Sequence, residues 1–447
     1  MRRFFVRDQP AGYNAWFIAA IWPQTNKKVR GDCRHTSRWR RWVKSLAFAV
    51  RGFSMGRPPM PLMMLARMLS PWTDPACVRP QLEGLNDNMG GWQLLYATAS
   101  AQWGTPLLYE VLRKHNDLDQ VHESIRILLR GDCLENRLRN QLLKSELAAL
   151  LLEFAGAGVA AVLLKGAATF VDNLYNGIGG RTMLDLDLLI RPEQIEVAQA
   201  LLIDQGYVEI PDEGKILTGT PPDQRHAHIN GYRKPGSPVH VELHYNIAYG
   251  QGGRILPAEQ GWQQTTSLAV DGVPALTLNP TCRLLHNTVH GLIPSCDYIK
   301  GEIRLWHILE FAWLAKRYWQ KIDWRVWLEA AKREKYTTAF LAWLWMAHRM
   351  FAMPIPKDIV VGWWPGLQGE RMLSATLLQF RRQSLGAGER LHWRERLLWG
   401  LHRLYYWAHL PGWVWRNVCY AEGWRNFPVR VRYFAAKVTS RRSWGKV

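Results

Sequence analysis

Two aspartates on one short apolar segment constrain this chain more than any other feature. Residues 184–190 read Leu-Asp-Leu-Asp-Leu-Leu-Ile, a pattern typical of a buried strand. Successive side chains of a strand point to opposite faces, so we expect Asp185 and Asp187 to project from the same face. Two neighbouring carboxylates repel each other strongly unless a cation lies between them. Because Mg²⁺ prefers carboxylate oxygens and often binds substrate phosphates, it is the cation that this pattern predicts.

A second motif lies upstream, where an apolar run at 159–164 ends in Lys165 and Gly166. We expect the run to form a strand and Gly166 to begin a helix that extends to about Tyr175, with its N-terminus facing phosphate. Lys165 has two interpretations: it binds phosphate, or it only caps the end of the strand at the surface.

A third carboxylate belongs to another alternating segment, residues 238–245. His240, Glu242 and His244 share one face of this segment, and a turn containing Gly precedes it, which suits a hairpin whose first strand begins near Ile229. If the segment lies beside the aspartate strand, three carboxylates converge. That is the arrangement that a two-metal site for phosphoryl or nucleotidyl transfer needs.

The order Lys-Gly, then Arg-x-x-x-Asp-x-Asp, then Val-Glu-Leu-His resembles an uncharacterised bacterial branch of the nucleotidyltransferase superfamily, which also contains DNA polymerase β and the minimal nucleotidyltransferases. The resemblance is carried mainly by residues 150–250 and extends more weakly over both flanks. It implies an α+β fold, in which a small mixed β-sheet nucleotidyltransferase core is flanked by N- and C-terminal helical regions.

The resemblance also assigns roles to residues of the motifs. It implies three carboxylates that bind metal and carry catalysis: Asp185, Asp187 and Glu242. It implies a set that binds the donor phosphates: Lys165, Gly166 and Arg181. In the empty enzyme, Arg181 can instead pair with one of the aspartates. Ala167 stands where many relatives carry Ser, so one phosphate-binding hydroxyl is absent, and Glu242 replaces the more usual Asp.

The implied activity is transfer of a nucleoside monophosphate from a nucleoside triphosphate, with ATP the expected donor, to a hydroxyl of a small molecule or protein. Pyrophosphate is released, and a two-ion Mg²⁺ site is expected. The alternative is a catalytically silent binding or scaffold protein that keeps the nucleotidyltransferase fold, associated with a membrane surface in one version of this hypothesis.

The positive charge of the chain is concentrated at its two ends. The net charge is +20, and residues 1–51 hold 12 Lys and Arg against 2 Asp and Glu, while residues 381–447 hold 14 against 3. Such ends bind polyanions or an anionic membrane surface, or they are basic termini without a dedicated partner. Since the presumed catalytic part is not basic, we favour a small-molecule or protein acceptor over nucleic acid.

Length and composition predict the organisation of the chain. A chain of 447 residues is expected to hold two or three packed units. We divide it into five segments: a basic, poorly ordered extension at 1–51, a helical region at 52–150, the catalytic core at 151–255, a helical domain at 256–380 and a basic tail rich in Trp and Arg at 381–447. No segment approaches the roughly 20 apolar residues of a membrane span. The six cysteines lack C-x-x-C spacing, which favours the cytoplasm, with peripheral contact at the inner membrane surface as an added possibility.

Several local patterns complete the prediction. Helices are expected at 192–205, 284–292, 305–319, 324–332, 338–351 and, with amphipathic character, at 391–415. The Pro- and Gly-rich residues 211–225 are expected to form a loop near the site. His226 and His228 are interpreted as surface residues rather than acceptor contacts. His286 and His290 have a metal-compatible spacing, but packing is the favoured interpretation, and for His244 packing and support of the metal ligands remain open.

Overall fold

The structure, a computed structural model, describes eight stretches of the chain: 61–86, 89–175, 177–210, 227–248, 250–293, 297–301, 303–383 and 390–414. The predicted loop at 211–225, His226 and the basic extension at 1–51 lie outside the described residues. So do residues 415–447 of the predicted basic tail.

In the described part of the chain, five helices precede the first strand: α1 (Pro61–Leu69), α2 (Arg79–Asn86), α3 (Met89–Ala101), α4 (Thr105–Lys114) and α5 (Glu123–Gly156). Two short 3₁₀ helices, Pro75–Cys77 and Leu118–Gln120, lie between them. The helical character that the sequence predicted before the catalytic core is therefore confirmed. The last helix is 34 residues long, and the apolar residues of its second half pack under the sheet.

Seven strands form one mixed sheet: β1 (Ala161–Leu163), β2 (Leu186–Ile190), β3 (Val208–Ile210), β4 (Gly231–Arg233), β5 (His240–His244), β6 (Thr265–Val270) and β7 (Val273–Leu278). Their order across the sheet is β3-β4-β5-β2-β1-β7-β6. Strand β5 runs parallel to β2, and β7 runs parallel to β1, whereas the other neighbouring pairs are antiparallel. The α+β fold class is confirmed.

The hairpin β6–β7 corrects one expectation. Residues 265–278 were assigned to the helical domain that begins at 256, but they form two strands, and β7 pairs with β1 at the centre of the sheet. The outer strand β6 is exposed at four consecutive positions, 266–269, so it lacks the alternation that identifies a strand in sequence. The sheet therefore continues past the predicted boundary of the catalytic core.

The remaining helices lie between and after the strands: α6 (Thr169–Asp172), α7 (Ile195–Asp204), α8 (Gln251–Ile255), α9 (Ala258–Gln263), α10 (Pro280–Leu292), α11 (Asp297–Lys300), α12 (Leu305–Tyr318), α13 (Trp324–Arg333), α14 (Thr337–Phe351), α15 (Trp363–Gln383) and α16 (Trp393–Val414). The helices predicted after β2 are confirmed, including the one at 192–205, which begins as a 3₁₀ turn at Pro192–Gln194. None of the described helices is both long enough and apolar enough to cross a membrane.

Local sequence explains where the helices after β7 begin. Asn279 caps α10 by accepting a hydrogen bond from the backbone N–H of Cys282 at 2.9 Å, and Pro280 occupies the first helical position, where its missing N–H costs nothing. Asp323 caps α13 in the same way. The helices then pack around fully buried aromatic residues such as Trp327 and Trp343.

The strands separate two apolar cores. Leu186 and Leu188 of β2 face the core that contains α7 and the second half of α5. Leu189 faces the opposite core, which contains α10 and α12. Because side chains alternate along a strand, Asp185 and Asp187 lie on the side of the sheet that the helices after β7 cover. That side is where the candidate site is found.

Candidate active site

The two acidic segments lie on adjacent strands. Strand β5 runs parallel to β2, with Glu242 directly opposite Asp187 in the register, and Asp185 immediately precedes β2. The prediction that these two strands lie side by side is therefore confirmed. Of the three carboxylates, Asp187 is completely buried, whereas Asp185 and Glu242 are only partly buried.

Lys165 and His244 both contact Asp187. Its Oδ1 accepts hydrogen bonds from Lys165 Nζ at 2.6 Å and from His244 Nε2 at 2.8 Å. Burial alone would raise the pKa of Asp187, but the charge of Lys165 and the hydrogen bond from His244 outweigh burial and hold this pKa well below its usual range. Its second oxygen, Oδ2, is buried and has no hydrogen-bond partner among the described residues. Asp187 is therefore an ionised carboxylate with one oxygen still to be satisfied.

The other two carboxylates differ from each other. Burial, and next the charge of Asp187, raise the pKa of Asp185 to about 6. The pKa of Glu242 is lowered, because the hydrogen bond from His244 outweighs burial and the repulsion of Asp187. Asp185 therefore binds a proton at mildly acidic pH when no further cation is present. This behaviour is expected where several carboxylates lie close together.

The donor atoms of the site fit a divalent cation. Two sets of three side chains have ligand atoms within 4.8 Å of one another: Asp185, His240 and Glu242 form one, and Asp187, Glu242 and His244 form the other. Glu242 belongs to both sets. The orphaned Oδ2 of Asp187 supports the same fit, because a buried carboxylate oxygen without a donor is satisfied by a metal ion.

Lys165 and Gly166 do not open a long helix. Residues 165–168 form turns, and α6 has only four residues, ending at Asn173, whose φ of 50° is left-handed. The predicted helix from Gly166 to about Tyr175 is therefore wrong, and no extended helix N-terminus faces the site here. Lys165 itself has a left-handed φ of 42°, a conformation that costs a non-glycine residue about 1 kcal/mol or more and that is often retained at functional sites.

Arg181 pairs with a helix of the second half of the chain. Its Nε donates to Glu310 Oε2 on α12 at 2.8 Å, and both side chains are largely buried. Of the two sequence interpretations, the structural ion pair is realised, but with Glu310 and not with an aspartate of the motif. Nothing in the sequence could identify this partner, because the two residues are 129 positions apart.

Two asparagines of α5 fix the segment that leads into β2. Asn136 Nδ2 donates to the carbonyl oxygens of Gly179 and Arg181, at 2.7 and 2.9 Å. Asn140 Nδ2, one helical turn later, donates to the carbonyls of Ile178 and Arg181, at 2.6 and 2.7 Å. Both asparagines are buried. The segment that carries Arg181 towards Asp185 is thereby held by its backbone as well as by an ion pair.

A cavity of about 250 Å³ lies beside the carboxylates. Asp185, Asp187 and Lys165 line one side of it, on the sheet, and residues of α10 and α12 line the opposite side. The members of this opposite wall include three histidines and the first residues of α12: His286, His290, Trp306, His307 and Glu310. Arg304, just before α12, and Trp103, just after α3, also line the cavity and are exposed. Sequence reasoning missed these lining residues apart from the histidine pair.

The three histidines of the wall are neutral near pH 7. Burial lowers the pKa of His286 to about 3 and that of His307 to about 4, and burial together with the nearby charges lowers the pKa of His290 well below its usual range. None of them belongs to a metal-compatible group among the described residues. His286 and His290 therefore pack, as predicted, and they also present uncharged polar atoms beside the carboxylates.

The mixed sheet, the paired acidic strands and the adjoining cavity agree with the nucleotidyltransferase class that the sequence motifs indicated. A family described as uncharacterised nucleotidyltransferase matches residues 88–352, more than half of the chain, and includes both flanks on which the weaker resemblance was noted. The chain belongs to this family. No curated protein and no solved structure shows significant similarity to it.

Proposed function

We propose that this enzyme transfers a nucleoside monophosphate from a nucleoside triphosphate to an acceptor hydroxyl and releases pyrophosphate. We further propose that the reaction depends on Mg²⁺, that ATP is the donor and that the family belongs to the superfamily of DNA polymerase β. The observation that carries the proposal is the register of β2 and β5, which sets Asp187 opposite Glu242 beside a cavity with Lys165 at its edge.

The proposed roles follow from the positions of the side chains. Asp185, Asp187 and Glu242 would hold the metal ions. Bound divalent cations supply charge stabilisation for a reaction at phosphorus and orient the reacting oxygens. The side chains of the site can bind and orient the reacting groups, and they can exclude water from them.

Two cationic side chains are placed to bind the donor phosphates. Lys165 is within reach because it lies at the cavity edge against Asp187, and a second cation in the cavity would release it from that carboxylate. Arg304 lines the same cavity. Arg181 already has a buried carboxylate partner, so its contribution is to shape the wall. Gly166 allows the close approach of Arg181 and Met183, because a Cβ atom at this position would lie 2.6 Å from Met183 Sδ.

Glu242 is the carboxylate best placed to orient an acceptor. It is less buried than Asp187 and faces the imidazoles of His228 and His244, with His228 Nε2 at 3.9 Å and His244 Nε2 at 3.4 Å from its Oε2. We propose a small molecule or a protein side chain as acceptor, since the described core is not basic enough to favour nucleic acid.

The test of this proposal is transfer of label from each of four α-labelled nucleoside triphosphates, in the presence of Mg²⁺ and cell extract. Glu242→Gln is the informative variant, because its side chain is partly exposed and the substitution removes charge with little change of volume. Glu209→Gln, on the exposed edge strand β3, makes the same chemical change away from the site.

Transfer that requires Glu242 and survives in Glu209→Gln would support the proposal, and the labelled acceptor could then be identified by its mass. Equal transfer by the wild type and Glu242→Gln would contradict the assignment of the carboxylates. Nucleotide binding without any transfer would favour the silent binding or scaffold protein.

We also propose cytoplasmic location with peripheral contact to an anionic membrane through the basic C-terminal part. Helix α16 supports this with four large apolar residues on one face: Trp393, Leu397, Leu404 and Trp407 are all more than half exposed. Buried Leu398 and His402 lie on the opposite face, which packs against the protein. Flotation with vesicles of anionic lipid, for the full chain and for a chain ending at residue 383, tests this contact. Equal flotation of both would contradict it.

A further inference from the structure

The imidazole of His244 faces both neighbouring carboxylates through one atom. Its Nε2 lies 2.8 Å from Asp187 Oδ1 and 3.4 Å from Glu242 Oε2. The side chain is almost completely buried, as is Asp187 beside it. Three potential donor atoms therefore converge on one point at the inner end of the acidic group.

The separations between these atoms match those between ligands of one metal ion. In octahedral coordination with bonds of about 2.1 Å, two ligands at a right angle lie about 3.0 Å apart. The two measured distances, 2.8 and 3.4 Å, bracket this value. An ion can thus be accommodated by small movements of side chains that are already in place.

The buried carboxylate also has an oxygen to satisfy. Lys165 and His244 both contact Oδ1 of Asp187, which leaves Oδ2 buried and without a partner among the described residues. A buried polar atom of this kind is costly unless another group satisfies it. A cation held by both oxygens of Asp187, together with Glu242 and His244, would do so.

We infer that His244 is a metal ligand, bound through Nε2, and that the inner ion of this site is preferentially Mn²⁺ or a similar transition metal. Binding of the ion replaces the hydrogen bond to Asp187, and the Nε2 proton is released to solvent. The inference rests on the proposed function and adds a nitrogen ligand to the carboxylates assumed there. Mg²⁺ is a hard cation that takes oxygen ligands, whereas imidazole suits transition metals, and Mn²⁺ accepts both. Two carboxylates and one imidazole therefore favour Mn²⁺ over Mg²⁺.

The competing account makes His244 a hydrogen-bond donor that only orients Asp187. Loss of such a donor also weakens metal binding, by about 10- to 100-fold, so an affinity measurement alone does not separate the two accounts. Direct coupling between the electron spin of Mn²⁺ and a ligand nitrogen does separate them.

The experiment uses the full chain, freed of metal, with Mn²⁺ alone as the probe. Binding is followed by loss of the six-line electron paramagnetic resonance signal of free Mn²⁺, with Mg²⁺ as competitor. Electron spin-echo envelope modulation then detects any directly bound ¹⁴N. Wild-type protein labelled with ¹⁵N-histidine provides a version of the test that involves no substitution.

Two variants identify the ligand. His244→Gln should lose the nitrogen modulation and at least tenfold of the preference for Mn²⁺ over Mg²⁺. His240→Gln, which removes the imidazole of the other three-residue set, should keep the modulation of the inner ion. Circular dichroism and the thermal midpoint establish that each variant is folded.

Each outcome bears on the inference. Nitrogen modulation that shifts on ¹⁵N-histidine labelling and disappears in His244→Gln would support it. Bound Mn²⁺ without nitrogen modulation would overturn it while leaving the carboxylate site of the proposed function intact. Modulation lost only in His240→Gln would also overturn it. Absence of Mn²⁺ binding would overturn both the inference and the metal dependence of the proposed function.

Discussion

Substitution of Asp185 tests how much the repulsion between neighbouring carboxylates and their burial destabilise the folded protein. Burial and the neighbouring carboxylate of Asp187 raise its pKa from the ordinary value of 3.8 to about 6. Because the ionised form is disfavoured in the folded protein, Asp185→Asn is expected to stabilise the metal-free protein at alkaline pH. The same substitution is expected to abolish the proposed transfer, since a metal ligand is lost.

The sign and size of the effect follow from proton binding. Between pH 4 and pH 6 the folded state holds the Asp185 proton more tightly than the unfolded state, so the free energy of unfolding falls as pH rises through this window. A shift of about two pKa units lowers the free energy of unfolding by up to about 3 kcal/mol. This destabilisation is fully present above pH 7 and absent below pH 4. Asparagine carries no such penalty at any pH.

The assay is denaturant unfolding of metal-free wild type and Asp185→Asn at pH 4.5 and pH 8, with Asp204→Asn as the control. Asp204 is an exposed aspartate at the end of α7. We expect Asp185→Asn to be the more stable protein at pH 8, to lose most of that advantage at pH 4.5, and Asp204→Asn to resemble the wild type at both. A variant that is destabilised at pH 8, or whose advantage does not depend on pH, would refute the reasoning.

Two further substitutions test the packing around the site. Glu310→Gln leaves the guanidinium of Arg181 buried without its carboxylate, so unfolding should become easier by about 3 kcal/mol or more, as measured by thermal unfolding. The same change at exposed Glu329 should have little effect, and equal midpoints for both variants would count against the buried pair. Gly166→Ala should cost about 1–3 kcal/mol, because the added methyl group would clash with Arg181 and Met183. Unchanged stability and transfer in Gly166→Ala would show that this close approach is not required.

The parts of the site that alternate along strands could be predicted from the sequence. Asp185, Asp187 and Glu242 share a face because the period of a strand is two, and the register of β2 and β5 brought them together as expected. The helices after β7 were predicted for a similar reason, since their apolar residues recur at helical spacing. These are local patterns that survive folding unchanged.

The contacts that cross the fold could not be predicted. Glu310 is the partner of Arg181, and Lys165 is a partner of Asp187, but sequence offers no rule that connects residues so far apart. For His244 the sequence left two interpretations open, and its hydrogen bond to Asp187 favours support of the carboxylate. The helix expected after Gly166 fails because the chain turns at Lys165 instead. Tertiary pairing decided each of these cases over local preference.

The direct passage from β7 into α10 restricts how the cavity can open. Only Asn279 separates the strand from the helix, and Leu278 and His286, on either side of this junction, line the same cavity. Arg283 of α10 also forms a buried ion pair with Asp172 of the core. The sheet and the helical wall are therefore joined through a single residue and tied by a buried ion pair. The open part of the cavity is therefore its exposed rim, where Trp103 and Arg304 lie.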